Sequence, residues 1–360
     1  LAQDDYAQEL AMKILVTGAS GFVGSHSAAA LQQAGHELRL IARAPDALRA
    51  HFPRLGLQAP EVVQADMQDA SAMRLALQGC DAVLHAAAAV NLDGRQAEAT
   101  YRSNLAGVEN VVSAACEMGI AHVVYVSSLS VLFNPDRARI AEDAPLALSQ
   151  NPYGRSKTDA ERLARALQAR GYPLQITYPA VVLGPDDPKL SVSNAALATF
   201  VGKTLPLTRT GFQFVDVRDV ARVHLALLEQ VPSGEPSQQR FILGGHYLPW
   251  RDLALALQQL TGCRPPAWPI PAPVFRALAW GMNGLQKIHS FETQLTSEAV
   301  NFMTRWSPAD SARVQAHTAL GFRPAEQTLA DTIVWLVQAG HLPARTAGLL
   351  AQRTQPTHPA

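Results

Sequence analysis

Residues Lys13 to Gly24 read KILVTGASGFVG, a short apolar run followed by a turn with glycine at positions 18, 21 and 24. Helix-forming residues continue to about Ala34, and Gly35 marks the end of the predicted helix. In such a turn the first glycine permits the tight bend, the second lets a pyrophosphate approach the backbone, and the third lets helix and strand pack closely. The start of the helix attracts an anion because its backbone N–H groups are unpaired. The stretch therefore predicts a dinucleotide-binding turn rather than a mere surface turn.

Short β-type runs alternate with longer helical patterns through the first half of the chain, which is typical of βαβ units on a parallel sheet. We predict an α/β fold: a Rossmann-type doubly wound parallel sheet with a smaller, interleaved, helix-rich substrate domain. The dinucleotide-binding domain is expected over 12–185 plus 212–246 and the substrate domain over 186–211 plus 247–342. Residues 1–11 are expected to be an N-terminal extension and 343–360 a frayed tail. The predicted strands are Met12–Thr17, Glu37–Ala42, Glu61–Ala65, Ala82–His85, His122–Ser127, Leu174–Tyr178, Phe212–Val215 and Arg240–Leu243.

Composition narrows the classes of partner. Of 360 residues, 48% are hydrophobic and 17% charged, and the formal net charge is zero, so no global field favours nucleic acid. Cys80, Cys116 and Cys263 form no Cys-x-x-Cys pair, which argues against a zinc site and a disulfide framework. No apolar run approaches the ~20 residues of a membrane helix, and the acidic, polar start lacks the pattern of a secretory signal. We expect a cytoplasmic protein without a metal site.

Three residues carry the predicted chemistry. Tyr153 and Lys157 lie four residues apart on a helix that begins near Pro152 and ends before Gly171, so their side chains emerge on one face. A neighbouring ammonium favours the phenolate form of a tyrosine, which can then exchange a proton near neutral pH. Ser128 ends the fifth strand, at the edge where ligands bind in an open parallel sheet, and its hydroxyl can donate to a reacting oxygen.

The end of the second predicted strand decides the preferred cofactor. An acidic residue there would bind the ribose 2'-hydroxyl of NAD, but the strand runs instead into Arg43. Because a guanidinium pairs well with phosphate, NADP(H) is favoured and NAD(H) is the alternative. The competing interpretation of Arg43 is an ordinary surface arginine, and the nearby Asp46 supports it.

In these residues the chain resembles the extended short-chain dehydrogenases/reductases, which include the NAD-dependent epimerases and dehydratases. The resemblance covers Met12 to about Leu342. Its cofactor turn is Thr17 to Gly24, and its active site is Ser127-Ser128 followed by the motif Tyr153-Gly-Arg-Ser-Lys157. The resemblance implies an NAD(P) cofactor and a homodimer through two long helices, one of which carries Tyr153.

The resemblance also implies roles that the residues alone do not reveal. Asp66 and Met67 would border the adenine, and Asn104 would support the catalytic set Ser128, Tyr153 and Lys157. The loop Pro179 to Pro185 would lie beside the nicotinamide. The expected cofactor-binding residues are Gly18, Ser20, Gly21, Phe22, Val23, Gly24, Arg43, Asp66, Met67, Ala86, Ala87, Ala88, Ser127, Tyr153, Lys157, Tyr178, Pro179 and Val181.

Two reactions fit this family, and the sequence favours one. Sugar-nucleotide epimerases and dehydratases usually carry Arg-Asp where this chain has Phe212-Gln213, and an Asn that Tyr178-Pro179-Ala180 does not offer. Arg43, Ser127-Ser128 and the run Phe241 to Gly245 look more like the dihydroflavonol-reductase, 3β-hydroxysteroid-dehydrogenase and hopanoid-associated relatives. We therefore expect interconversion of a carbonyl and an alcohol on an apolar, ring-bearing substrate. The alternatives are a sugar-nucleotide epimerase or dehydratase with bound NAD, and a non-catalytic cofactor-binding regulatory protein.

Other residues have mainly structural interpretations. His85 and His224 sit among apolar neighbours and are expected to be core histidines, and Asp219 is expected to cap a helix. The segment Pro266 to Met282 is interpreted as a helix packing on the core, with a substrate-facing lid as the alternative. Candidate residues for an apolar substrate cavity lie in Leu190–Thr210 and after Pro249, including Phe200, Trp280 and Phe291.

Overall fold

The computed structural model describes residues 11–89, 97–147, 152–286 and 297–354. A seven-stranded parallel sheet consists of β1 Lys13–Thr17, β2 Glu37–Ala42, β3 Glu61–Gln64, β4 Ala82–His85, β5 His122–Val126, β6 Leu174–Pro179 and β10 Arg240–Leu243. Its strands run in the order β10-β6-β5-β4-β1-β2-β3. The strand order reverses between β1 and β4, which creates a crevice at their carboxyl ends. The predicted doubly wound α/β fold is confirmed.

Helices cover both faces of this sheet. They are α1 Phe22–Gln33, α2 Pro45–Arg49, α3 Phe52–Leu55, α4 Ala70–Leu77, α5 Ala97–Gly107, α6 Ala114–Glu117, α7 Pro152–Ala169, α8 Val192–Gly202, α9 Val217–Leu228, α10 Trp250–Thr261, α11 Ala272–Gln286, α12 Ser297–Arg305, α13 Ala312–Thr318 and α14 Ala325–Gln338. A π-helical segment, Val108–Ser113, joins α5 to α6.

The sheet is apolar on both faces because each face packs against its own helices. Successive residues of a strand point to opposite sides. Leu15 of β1 therefore joins a core cluster with Met73 of α4, whereas Ile14 and Val16 join a second cluster with Leu31 of α1. This arrangement explains why the strands lack an alternating polar pattern.

A smaller part of the protein has its own core. It contains the strands β7 Val181–Leu183, β8 Leu205–Leu207, β9 Gly211–Asp216, β11 His246–Pro249 and β12 Ala267–Pro269. They form a three-stranded sheet in the order β11-β9-β7 and a separate pair, β12-β8. Phe200, Phe212 and Trp250 pack at the centre of this core. Strand β9 falls within the range expected for the dinucleotide-binding domain and pairs in the small sheet with β7 and β11. The domain boundaries stay predictions.

Two sequence expectations about the C-terminal region change. The predicted frayed tail is wrong for Ala344–Thr354, which forms two 3-10 segments and buries Ala347 and Leu350 in the small core. Residues 355–360 lie outside the described part.

The second expectation concerns the segment Pro266 to Met282, which was interpreted as a helix packing on the core. Its helix, α11, packs on α12 through Phe275 and leaves Val274 and Leu278 exposed. The Trp280 side chain and all of Phe291 lie outside the described residues, so their expected place in the cavity stays a prediction.

Candidate active site

The glycine turn occupies the crevice between β1 and β4. Gly18 has φ +79°, and a Cβ there would lie 2.6 Å from the Ala87 nitrogen. A Cβ on Gly24 would lie 2.2 Å from the Gly18 carbonyl oxygen. The Gly21 N–H donates to that same oxygen at 2.9 Å. The turn is therefore packed too tightly for side chains at positions 18 and 24.

The turn leads directly into the first residues of α1. Gly21 is the N-cap, and none of the described side chains caps the helix or places an acidic group in its first turn. Ser20 and Val23 are half-buried, whereas the ring of Phe22 is buried against His26 with 5.4 Å between ring centroids. Uncapped N–H groups beside a glycine-lined turn suit the pyrophosphate of a dinucleotide. These residues thus fit the cofactor that the sequence predicts.

The loop after β4 forms the opposite wall, where Ala86, Ala87 and Ala88 are half-buried. The Ala87 N–H donates to the Thr17 hydroxyl at 3.3 Å, and this hydroxyl contacts Nδ1 of His85 at 2.8 Å. Burial, and then the charge of Lys157, lower the pKa of His85 to about 3, so the ring is neutral. His85 is a core histidine, as predicted, and its contact with Thr17 supports the loop.

Asn104 ties this loop to the helix α7. Its Oδ1 accepts from the Ala89 N–H at 2.7 Å, and its Nδ2 donates to the Ala89 carbonyl at 3.1 Å and to the Ser156 hydroxyl at 3.0 Å. The side chain is buried. Asn104 therefore holds the loop at a fixed distance from the residue that precedes Lys157.

Two serines end β5. Ser128 is half-buried and N-caps a 3-10 helix, Leu129–Leu132, where its Oγ accepts from the Ser130 N–H at 3.3 Å and lies 2.9 Å from the Ser130 hydroxyl. Ser127 is buried, and its Oγ has no hydrogen-bond partner among the described residues. Ser128 thus presents a hydroxyl at the carboxyl edge of the sheet, as the sequence predicts.

Helix α7 brings the predicted pair to this edge. It begins at Pro152 and is followed by Gly171, which has φ +84°, so both predicted limits are confirmed. Tyr153 lies in the first turn, but its side chain lies outside the described part. The Lys157 side chain is buried one turn further on, and α7 packs against the 3-10 helix that Ser128 caps. Burial lowers the pKa of Lys157 to about 8, and the negative charge of Glu161 opposes this decrease.

The next turn of α7 contains a buried carboxylate that the sequence did not single out. The Tyr178 hydroxyl donates to Oε1 of Glu161 at 2.6 Å, and Arg165 donates to the same oxygen at 2.8 Å. Burial first, and then Glu161, raise the pKa of Tyr178 well above its ordinary value. The Tyr178 side chain is fully buried and its hydroxyl is bonded to Glu161, and the expected place of Tyr178 among the cofactor-binding residues stays a prediction.

The family model described as "NAD dependent epimerase/dehydratase family" matches residues 14–244. The chain belongs to this family. The predicted relationship to the extended short-chain dehydrogenases/reductases and the prediction of an NAD(P)-dependent enzyme are therefore confirmed at that level.

Reductases and dehydrogenases occur among the relatives of this family member. A putative dihydroflavonol 4-reductase from Synechocystis sp. is 27% identical over 334 residues, which cover 91% of this chain and 95% of the relative. A 3 beta-hydroxysteroid dehydrogenase/Delta 5-->4-isomerase from Mycobacterium tuberculosis is 29% identical over 295 residues, covering 77% of this chain and 76% of the relative. The crystal structure of gox2253 is 28% identical, with a TM-score of 0.75 and coverage of 92% of this chain and 99% of that one.

In this epimerase/dehydratase-family chain, Arg43 lies exposed at the end of β2. It borders an open cleft of about 490 Å³ together with Asp46 and Arg49. Arg49 pairs with Asp46 at 3.0 Å, whereas Arg43 makes no ion pair with any described residue. Asp46, the acid nearest to Arg43 in sequence, is thus paired with Arg49.

The other expected cofactor residues occupy different environments. Asp66 accepts from the Gln68 N–H at 3.0 Å, and Met67 lies against Gly107, where a Cβ would meet its sulfur at 3.1 Å. Pro179 is buried at the end of β6. Val181 is half-buried and packs on the core of the smaller part. Because the Pro179 ring is buried, this residue would contact a ligand through its backbone.

Two other predicted roles have different outcomes. His224 is fully buried between Ser27 at 2.9 Å and Thr177 at 3.2 Å, so it is a core histidine as expected. The prediction that Asp219 caps a helix is wrong: the N-cap of α9 is Asp216, and Asp219 instead accepts from the Arg323 N–H at 2.7 Å. The sequence placed the cap three residues late because both aspartates lie at the start of an apolar helix.

The described residues contain no group of three or more His, Cys, Asp or Glu side chains that could hold a metal ion. Within the same residues, none of the helices combines the length and the apolar character needed to cross a bilayer.

Proposed function

We propose that the protein is an NADP(H)-dependent oxidoreductase that interconverts a carbonyl and a secondary alcohol on an apolar, ring-bearing substrate. One observation supports this function above the others. Ser128 lies at the carboxyl edge of the sheet and caps a 3-10 helix that packs against α7, and α7 carries the buried Lys157 with Tyr153 in the helical turn before it. This is the set of groups that acid–base chemistry at a carbonyl oxygen requires.

Each residue has a separate role in the proposed reaction. When bound, the nicotinamide supplies or accepts the hydride. Tyr153 gives a proton to the substrate oxygen in reduction and takes it back in oxidation. Ser128 donates a hydrogen bond to that oxygen, and Lys157 binds the ribose and stabilises the Tyr153 phenolate electrostatically.

The apolar substrate class is supported by the residues where sugar-nucleotide enzymes usually carry charge. Phe212 is buried in the small core. Gln213 is also buried, donating to the Ala309 carbonyl at 2.6 Å and accepting from the Trp306 indole at 3.2 Å. No cation is therefore available at these two positions for a diphosphate. The names of the relatives, a dihydroflavonol reductase and a hydroxysteroid dehydrogenase, point to ring-bearing substrates as well.

The NADP(H) preference is supported by Arg43. Its guanidinium is exposed beside an open cleft and is free of the neighbouring acid, because Asp46 pairs with Arg49. A charge-assisted hydrogen bond to a 2'-phosphate suits such a group. NAD(H) is the alternative cofactor. We also propose a homodimer through two long helices, one of which is α7, as the family resemblance implies.

The second candidate is epimerisation or dehydration of a sugar nucleotide with bound NAD, which the description of the family favours. A panel of ring-bearing ketones and UDP-sugars separates the two functions. The proposed reductase consumes NADPH with ketones, and replacement of Ser128 by Ala lowers kcat by roughly 10²- to 10³-fold. The exposed Ser237→Ala variant serves as the control. Conversion of UDP-sugars without net NADPH consumption, and no reaction with ketones, would establish the second candidate instead.

A further inference from the structure

Glu161 is a buried acid on the helix that carries the proposed active site. It is 0% exposed, and Lys157, one helical turn before it, is 5% exposed. Side chains four residues apart on a helix are neighbours. An ionised carboxylate without compensation is costly in such a place, so its partners reveal what holds it there.

The partners of Glu161 use only half of its carboxylate. Oε1 accepts both from the Tyr178 hydroxyl on β6 and from Nε of Arg165. Oε2 is buried and has no hydrogen-bond partner among the residues that the structure describes. The carboxylate is therefore fixed in position by two donors while one of its oxygens stays unpaired.

We propose that Glu161 is a positioning residue of the reaction, a fixed buried counter-charge that keeps the Lys157 ammonium protonated and in place. The inference rests on the proposed oxidoreductase function for its catalytic meaning. It assigns a role to a residue outside the serine, tyrosine and lysine set, acting only through Lys157.

The charges around the pair explain why Glu161 matters most to Lys157. Arg165 is partly exposed, so water screens its charge. Arg240 on β10 interacts electrostatically with Glu161 but donates its hydrogen bond to Gln168. His85 on β4 faces Lys157 but is neutral. Glu161 is thus the anion that offsets the cost of burying the ammonium, because burial lowers the pKa of Lys157 and the negative charge of Glu161 opposes this decrease.

The consequence for chemistry follows from the role of the ammonium. A neutral Lys157 would no longer stabilise a phenolate on Tyr153, and this would weaken acid–base exchange at neutral pH. Replacing Glu161 by Gln removes the charge but keeps an oxygen that can accept from Tyr178 and Arg165. The substitution therefore separates the charge of Glu161 from its packing.

The test is a pH titration of Lys157 by NMR. The chain has only five lysines, Lys13, Lys157, Lys189, Lys203 and Lys287, so the full chain labelled with ε-¹³C-lysine gives a simple spectrum. The Lys157 signal is assigned by its loss in Lys157→Arg. We expect a midpoint near pH 8 in the wild type and a midpoint lower by roughly one pH unit in Glu161→Gln. The control is Glu142→Gln, which removes a different buried carboxylate and leaves the Lys157 midpoint unchanged.

Each result decides one question. An unchanged midpoint in Glu161→Gln overturns the inference, as does a wild-type midpoint below pH 7, which needs no variant and stands even if Glu161→Gln does not fold. If ketones are reduced, the alkaline loss of kcat must move to lower pH in Glu161→Gln, and an unmoved profile also overturns it. Absence of any wild-type turnover refutes the proposed function alone, because the NMR midpoints are measured without substrate.

Discussion

Replacement of Arg43 by Ala is expected to weaken NADPH binding selectively. The guanidinium would donate charge-assisted hydrogen bonds to the 2'-phosphate, a type of bond that contributes about 1.5–3 kcal/mol. Because Arg43 is exposed beside an open cleft, water and salt reduce this value to about 1–2 kcal/mol. That loss corresponds to roughly a 5- to 30-fold higher Kd for NADPH. Binding of NADH, which has no 2'-phosphate, should change less than about twofold.

The assay is titration of the purified protein with NADPH and NADH, followed by nucleotide fluorescence at a fixed ionic strength. Arg139→Ala is a suitable control, because Arg139 is also an exposed arginine but pairs with Asp310 at 2.6 Å. Raising the salt concentration should narrow the difference between wild type and Arg43→Ala. An equal loss for both nucleotides, or tighter wild-type binding of NADH than of NADPH, would refute the reasoning and favour NAD(H).

Two further predictions concern the framework of the site. Gly24→Ala sets a Cβ 2.2 Å from the Gly18 carbonyl oxygen, so calorimetry should find a free energy of unfolding lower by about 1–3 kcal/mol and NADPH affinity should fall. Gly281→Ala, with no atom within 4 Å of the new Cβ, is the control, and unchanged NADPH affinity in Gly24→Ala contradicts the prediction. Burial lowers the pKa of His224 from 6.5 to about 3, so the unfolded chain binds a proton that the folded protein excludes between these pH values. The free energy of unfolding should therefore fall as pH drops below 6.5, by up to about 1.4 kcal/mol per pH unit from this residue. Urea unfolding at pH 7 and pH 5 should show a shallower decrease in His224→Gln, and an equal decrease in both proteins argues against this role.

The parts of the site that the sequence predicted are those set by local structure. The turn from Gly18 to Gly24 and the limits of α7 depend on neighbouring residues, whose φ preferences and helix signals are visible in a single stretch. Ser128 was also predictable, because the carboxyl ends of parallel strands meet at one edge. For the same reason the order of strands and helices identified the fold.

The parts that the sequence missed depend on distant contacts. Glu161 looks like an ordinary helix-forming acid until Tyr178, on a strand, donates to it. The support that His85 gives to the loop requires Thr17, which is 68 residues away. The burial of Ala347 and Leu350 likewise depends on α10 and α14 and left no periodic pattern in the tail. Tertiary packing, which no local pattern encodes, decided each of these cases.

The proton-transfer role of Tyr153 is the central claim, and the kinetics of Tyr153→Phe test it most directly. Wild type and variant are compared with NADPH and the best ketone from the substrate panel, and the NADPH Kd of each is measured by fluorescence. The variant loses only the hydroxyl, so kcat should fall by roughly 10²- to 10⁴-fold while the NADPH Kd stays nearly unchanged. Equal kcat values for wild type and Tyr153→Phe would contradict the proposed mechanism.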